Sequence, residues 1–267
     1  VRDLVSDYGQ VIVDECHHIG AVSFDAILKR VKAKYVLGLT ATPIRRDSQQ
    51  PIIFMQCGPI RHSAQRNVNA PQDLEVVRFL LRNQIDLAVE VGIQDVFKSL
   101  SQDEYRTLAI ANETKNAFDH GRTVLVLTER TAHLEAIFTA LVGKVPAPFV
   151  LHGRLSKKQR AAVIAELDAL NPDAPRVLLA TGKLVGEGFD HPPLNTLVLA
   201  MPISWKGTLQ QYAGRLHRTH ATKTDVRIID FVDTGHPALV RMWEKRQRGY
   251  RAMGYRLTAQ PMQLAIA

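Results

Sequence analysis

The feature that most constrains this chain is the make-up of its apolar runs. They are short, rich in β-branched residues, and mostly separated by segments with helical spacing. "VIVD" (Val11–Asp14) and "YVLGLT" (Tyr35–Thr40) come first, with Phe24, Ile27, Leu28 and Val31 at helical spacing between them. Order loosens after Pro43. Pro51, Gly58, Pro59 and Pro71 punctuate a stretch to about Asp73 that is expected to be loop and linker. Beyond it, helices are expected at Gln102–Phe118, Thr131–Leu141, Ser156–Leu170 and Thr208–Arg218. Strands are expected at Val124–Thr128, Phe149–Leu151, Arg176–Ala180, Thr196–Ala200 and Val226–Phe231. Ser156 stands where a helix N-cap belongs, ahead of an apolar face of Ala161, Ile164, Ala165 and Leu167. Strands alternating with helices make a parallel sheet covered on both faces, so the fold class is α/β.

Composition narrows the function classes. The chain has 267 residues and a net charge of +8, with 46% hydrophobic and 22% charged residues. That balance excludes whole-chain disorder, collagen and coiled coil, and the length allows about two domains. No apolar run approaches the roughly 18 residues of a membrane span. Cys16 and Cys57 are too few for a disulfide framework, which points to a reducing, cytoplasmic compartment. The opening "VRDLVSDYGQ" has no signal-peptide layout and no initial Met, and reads as the inside of a longer protein. The positive charge permits a nucleic-acid partner; a solvated Lys/Arg surface would explain it as well.

Four segments carry chemistry. Strand "VIVD" ends in the carboxylate pair Asp14–Glu15, at the end of a strand where open α/β sheets bind ligands. Such a pair suits Mg²⁺ binding and polarisation of a water for phosphoryl transfer. "GLTATP" (Gly38–Pro43) places small residues and the hydroxyls of Thr40 and Thr42 after the next strand. "ATGKLVGEGFDHPPLNTLVL" (Ala180–Leu199) follows a strand ending at Thr181 with Gly182, Gly186 and Gly188, then Asp190. Glycines let backbone N–H groups approach phosphates, and a carboxylate can hold a ribose hydroxyl. "QQYAGRLHR" (Gln210–Arg218) is expected to put Gln211, Arg215 and Arg218 on one helical face, as charge-neutralising fingers require. Each segment alone has a bland explanation: an acidic turn, a capped loop, a flexible crossover, a solvated basic helix.

In order and spacing the four resemble superfamily 2 helicases. "DECH" looks like motif II of the DEAD/DEAH-type group and "LTATP" like motif III. "VLVLTERTAHLEAI" (Val124–Ile137) resembles motif IV, with "LHGRLSKKQR" (Leu151–Arg160) its companion. Ala180–Ala200 resembles motif V and Gln210–Arg218 motif VI. "TAT" and "QYAGR" are similar to the DNA-translocating branch that includes the xeroderma pigmentosum group B repair helicases and restriction motor subunits. The resemblance implies two RecA-like domains that clamp ATP, with a nucleic-acid strand crossing both. It makes residues 1–75 the C-terminal remnant of the first domain plus linker, 76–236 the second domain, and 237–267 a basic tail. It implies Mg²⁺ held through water by Asp14, water activation by Glu15, and coupling by His17 (through Gln211), Thr40 and Thr42. Gly186, Gly188 and Asp190 would meet the nucleotide, with Arg215 and Arg218 as fingers. Thr128, Arg130, His152, Gly153 and Thr181 would grip a phosphate backbone, DNA rather than RNA, by contacts that carry no sequence information. Lys157, Lys158 and Arg160 would extend that track or sit in solvent. In the tail, Trp243, Tyr250 and Tyr255 are expected to pack onto the domain rather than stack on bases.

One departure is large: "GxxxxGK[ST]" does not occur in the chain, and "TGKL" (Thr181–Leu184) has neither the leading glycine nor the hydroxyl. This stretch alone is expected not to hydrolyse ATP, the missing first-domain segment being needed for activity. Three readings stay open: the C-terminal portion of an ATP-dependent DNA helicase or translocase, a non-catalytic nucleic-acid-binding module, and a motor subunit of a restriction or defence system. No nuclease motif is visible. Cys16, His17 and His18 are adjacent on a strand exit and point different ways, which does not suit zinc.

Overall fold

A computed structural model describes residues 7–16, 19, 26–40, 50–63, 71, 73–81, 88–182, 189–203 and 206–259. The chain divides into two compact units, Val1–Asn67 and Val68–Ala267.

In the first unit, β1 (Gln10–Val13) and β2 (Tyr35–Gly38) pair in parallel, Val13 opposite Gly38. Helix α1 (Gln50–Cys57) completes a small core of Val13, Cys16, Ile19, Leu28 and Ile53. The helix corrects the expectation of loop between Pro43 and Asp73. Pro51 lies in its first turn, where a missing N–H costs nothing. Gly58 ends it at φ +78°, its N–H bonded to the Phe54 carbonyl at 2.9 Å. Prolines bracketing an apolar run were read as breakers when they are a start and a stop.

The second unit is built on a seven-stranded sheet. Its strands are β3 (Asp73–Leu80), β4 (Thr123–Thr128), β5 (Phe149–Leu151), β6 (Arg176–Thr181), β7 (Thr196–Leu199), β8 (Asp225–Val232) and β9 (Arg256–Ala259). The order across the sheet is β5-β6-β4-β7-β8-β3-β9, every neighbouring pair parallel. The helices are α2 (Ile93–Gln102), α3 (Glu104–Asp119), α4 (Thr131–Leu141), α5 (Lys157–Asp168), α6 (Lys206–Leu216) and α7 (Pro237–Ala252). Alternate residues of each strand feed opposite faces. Leu125, Leu127, Leu178 and Leu197 pack with Leu209, Tyr212 and Trp243, whereas Val124, Val126, Val177 and Val198 pack with Ile110, Leu134 and Ile137. β4 and β6 are buried along their whole length, as central parallel strands must be. Ser156 caps α5 in a full capping box with Gln159.

In this unit four elements were not foreseen. β3 mixes Glu75 and Arg78 into its apolar run, and β9 is only four residues long. α2 has Ile93, Val96, Phe97 and Leu100 at i, i+3, i+4 and i+7, a helical signal that was passed over, with Val96 and Leu100 buried. α7 and β9 occupy the supposed tail. A division at 75/76 cuts β3, and one at 236/237 separates α7 and β9 from the sheet they belong to. Trp243, Tyr250 and Tyr255 are buried in the core, so they pack the tail onto the domain as expected and are closed to base stacking. Arg246 donates to both oxygens of Asp230 at 2.7 and 3.0 Å, and the Tyr250 hydroxyl donates to Asp230 at 2.7 Å. Arg106 makes a second buried knot, donating to Asp233 and to the Ala200 carbonyl at 2.9 and 3.2 Å.

Candidate nucleotide and nucleic-acid sites

In the first unit, the parallel register sets the exits of β1 and β2 side by side. The Leu39 N–H bonds the Val13 carbonyl and the Cys16 N–H bonds the Leu39 carbonyl, both at 2.9 Å. Asp14–Glu15 and Thr40 therefore leave adjacent strand ends together. Asp14 is exposed, with Oδ1 accepting the Glu15 N–H at 2.9 Å. Glu15 lies in the left-handed region at φ +46°, a cost of about 1 kcal/mol or more that a non-glycine carries where geometry demands it. Gly38 cannot be larger: a Cβ there would lie 2.9 Å from Cys57 Sγ and 3.0 Å from Cys16 Sγ. His17 and Thr42 lie outside the described residues.

In the second unit, three neighbouring strands bring the expected phosphate-gripping residues to one sheet edge. Thr128 ends β4 opposite Thr181 at the end of β6, and Leu151 ends β5 opposite Ala180. His152 and Gly153, which follow Leu151, thus stand beside Thr181. Their polarity is uneven. Gly153 is open, with nothing near the position of a Cβ. The guanidinium of Arg130 donates to the Gln94 carbonyl at 3.0 Å and the Gln94 side chain at 3.3 Å. Thr128 is buried, and its hydroxyl meets His133 Nδ1 at 3.0 Å, so as placed it orients the turn rather than facing outward. Burial, and secondarily the charge of Arg106, lowers the pKa of His133 to about 3, which keeps the ring neutral.

Gln211 and Arg215 lie one turn apart on α6, both half-buried. Arg218 does not share their face, because the helix stops at Leu216. It pairs instead with Asp190, Nε to Oδ1 3.3 Å, both side chains about half exposed. An exposed pair of this kind is worth under about 1 kcal/mol and opens readily. Next to Asp190, the buried Lys223 ammonium donates to the carbonyls of Pro192 and Leu194 at 2.7 and 3.0 Å, fixing the loop. Burial lowers its pKa to about 8, against the pull of Asp190. Lys157 and Lys158 are exposed in the first turn of α5. Gly186 and Gly188 lie outside the described residues.

Two side chains that sequence reasoning passed over stand between these groups. Tyr212 follows Gln211 on α6, and its hydroxyl donates to Glu129 Oε1 at 3.0 Å. Glu129 lies between Thr128 and Arg130. Burial, then the Glu129 charge, raises the Tyr212 pKa, so the hydroxyl stays protonated. The signal was present in "TER" and "QQY", charged and hydroxylated residues inside segments already singled out.

The second unit thus gathers basic and hydroxyl groups at the ends of parallel strands, and the first unit carries an acidic strand exit. Comparison with known families places these segments. Residues 2–45 match the family described as type III restriction enzyme, res subunit, and residues 106–220 match the helicase conserved C-terminal domain. The Acanthamoeba polyphaga mimivirus protein L396, named as an ATP-dependent RNA helicase, is 23% identical over 96% of this chain and 49% of its own length. D10 of Escherichia phage T5, named as a helicase, is 27% identical over 99% of this chain and 58% of its own. The S. cerevisiae Dbp5 structure bound to RNA and ADP BeF3 superposes with TM-score 0.64 at 14% identity, over 97% of this chain and 61% of that one. The two family matches and the helicase relatives support a superfamily 2 helicase C-terminal region in this chain, and the second unit has a RecA-like fold. It spans about half the length of the curated relatives it matches.

Proposed function

We propose that this chain is the C-terminal portion of an ATP-dependent DNA helicase or translocase. The observation that carries the reading is the strand register that lines up Thr181, His152, Gly153 and Arg130 on one sheet edge, with Gln211 and Arg215 one turn apart on α6 and the Arg218–Asp190 pair just past its end. In this reading the first group holds phosphates of the strand and the second meets the nucleotide. Asp14, with one oxygen taken by the Glu15 N–H, keeps the other for a water of Mg²⁺, and the exposed hard-oxygen donor fits that ion. Bound Mg²⁺ would neutralise charge on the transferring phosphate. Glu15 would take a proton from the attacking water, with Thr40, Thr42 and His17 relaying the event. Gly186 and Gly188 would approach the nucleotide. Arg218 would exchange Asp190 for phosphate. DNA is preferred to RNA on the "TAT" and "QYAGR" segments. The two free cysteines support a cytoplasmic setting. Among the described residues no helix is long and apolar enough to cross a membrane.

The test is ATP turnover by the complete protein encoded with this chain, with and without single-stranded DNA or RNA. Glu15→Gln is expected to abolish stimulated turnover and leave DNA binding intact; an unchanged rate sinks the assigned base. Arg215→Ala and Arg218→Ala should each lower turnover by about a thousandfold. A second reading is a nucleic-acid-binding module without turnover. It predicts DNA binding with no ATP hydrolysis in the complete protein. Within the first reading, the match of residues 2–45 to the restriction res subunit supports a motor role in restriction or defence.

A further inference from the structure

The ends of β4 and β6 are joined to helix α6 by one side-chain contact. Glu129 follows the last residue of β4, Gly182 follows the last residue of β6, and Tyr212 lies in the middle of α6. The three meet at one point. A Cβ on Gly182 would fall 2.1 Å from the Tyr212 hydroxyl and 2.3 Å from Glu129 Oε1. The hydrogen-bonded pair therefore lies directly on the Gly182 backbone, and only glycine leaves room for it. The Tyr212 ring is buried and cannot swing away, while Glu129 is exposed. The hydroxyl donates to a carboxylate, which makes the bond charge-assisted and stronger than a neutral one. Each partner is next to a residue assigned above: Glu129 to Arg130, Gly182 to Thr181, Tyr212 to Gln211.

We infer that Tyr212 and Glu129 are a positioning pair that sets α6, and with it Gln211 and Arg215, according to whether nucleic acid occupies the ends of β4 and β6. The inference rests on the function proposed above. Neither side chain touches nucleotide; both act through their neighbours. A backbone shift of Arg130 or Thr181 toward a phosphate would carry the adjacent Glu129 or Gly182 with it. Either movement is transmitted to the Tyr212 hydroxyl, because the ring is held on its other side by the core. The pair thus gives nucleic-acid binding a mechanical route to the arginine of α6.

The experiment compares ATP turnover of the complete protein with and without saturating single-stranded DNA, alongside DNA affinity and melting temperature. Tyr212→Phe removes one hydroxyl and keeps the buried ring. It is expected to cut the stimulation by DNA about tenfold, the worth of one charge-assisted hydrogen bond, with DNA affinity within about twofold. Glu129→Gln keeps an accepting oxygen and should retain most of the stimulation, while Glu129→Ala should match Tyr212→Phe. Gly182→Ala should give the same loss by prying the pair apart. The inference is overturned if Tyr212→Phe is stimulated like the wild type, if its basal and stimulated rates fall in equal proportion, or if Glu129→Gln is as poor as Glu129→Ala. A wild-type protein with no nucleic-acid-stimulated turnover removes the proposed function and this inference together. A stimulated wild type with an unaffected Tyr212→Phe variant removes this inference alone.

Discussion

The two units use the same local grammar, a parallel strand followed by a helix, and reach different degrees of closure. β1 and β2 form a pair with no further strand among the described residues. Ile12 and Tyr35 are 59% and 61% exposed, although both are large apolar side chains in strands. β4 and β6 have similar composition and are buried at every position. The difference comes from the neighbours. A central strand of a seven-stranded sheet has helices on both faces, whereas a two-strand ladder covers itself on one side at most. The second unit is also cross-linked by buried ion pairs that tie distant segments, Arg106 to Asp233 and Arg246 to Asp230. The first unit therefore takes its order from a few local contacts and the second from its whole length.

The strongest way to test that contrast is to cut a cross-link. Arg246→Ala leaves Asp230 buried and without its cation, and should destabilise the second unit by about 3–5 kcal/mol. Denaturant unfolding followed by Trp243 fluorescence reports it. A change below about 1 kcal/mol would mean that the knot is not what closes the supposed tail onto the sheet. Native-state hydrogen exchange gives the next largest effect. Amides of β4 and β6 should be protected at least about a hundredfold more than those of β1 and β2, since exchange follows the local opening energy. Equal protection would show that the two ladders open together.

The same contrast governs what could be read from sequence. β4, β6 and β7 stood out because burial on both faces leaves their apolar runs nearly uninterrupted. β3 and β9 lie toward one side of the sheet, where Glu75 bonds Arg227 and Thr258, and those polar pairs erase the pattern. α1 was hidden by its prolines and α7 by its basic residues; the buried Arg246 counted as surface charge until its partner Asp230, sixteen positions away, was seen. Among the proposed site residues, order along the chain was enough to nominate Asp14, Glu15, Asp190 and Arg215. Register and packing were not, so the inward turn of Thr128, the placement of Arg218 beyond the helix and the Tyr212–Glu129 contact required coordinates.

Acid should separate the units further. His133 and His191 in the second unit have pKa values lowered to about 3 and about 4, in both cases chiefly by burial and then by a nearby arginine. Unfolded histidine binds a proton near pH 6.5, so between that value and pH 3–4 the unfolded chain holds more protons than the folded one. The stability from the neutral rings is thus complete above about pH 6.5 and is lost as pH falls, at roughly 1.4 kcal/mol per pH unit for each ring. Melting of the second unit should steepen with acidity over that window. His133→Asn, which keeps an oxygen near Thr128, should make the slope shallower by about one proton. An unchanged slope would mean that the ring titrates with solvent.

The smallest effect tests whether the units are separable at all. Ser156→Ala removes the side-chain half of the capping box that starts α5, at a cost of about 1 kcal/mol. Because α5 packs on β5 of the second unit, the loss should appear only in that unit's unfolding transition. Exchange at β1 and β2 should not move. If both transitions shift by the same amount, the chain unfolds as one cooperative body, and the greater exposure of the first unit has no energetic consequence of its own.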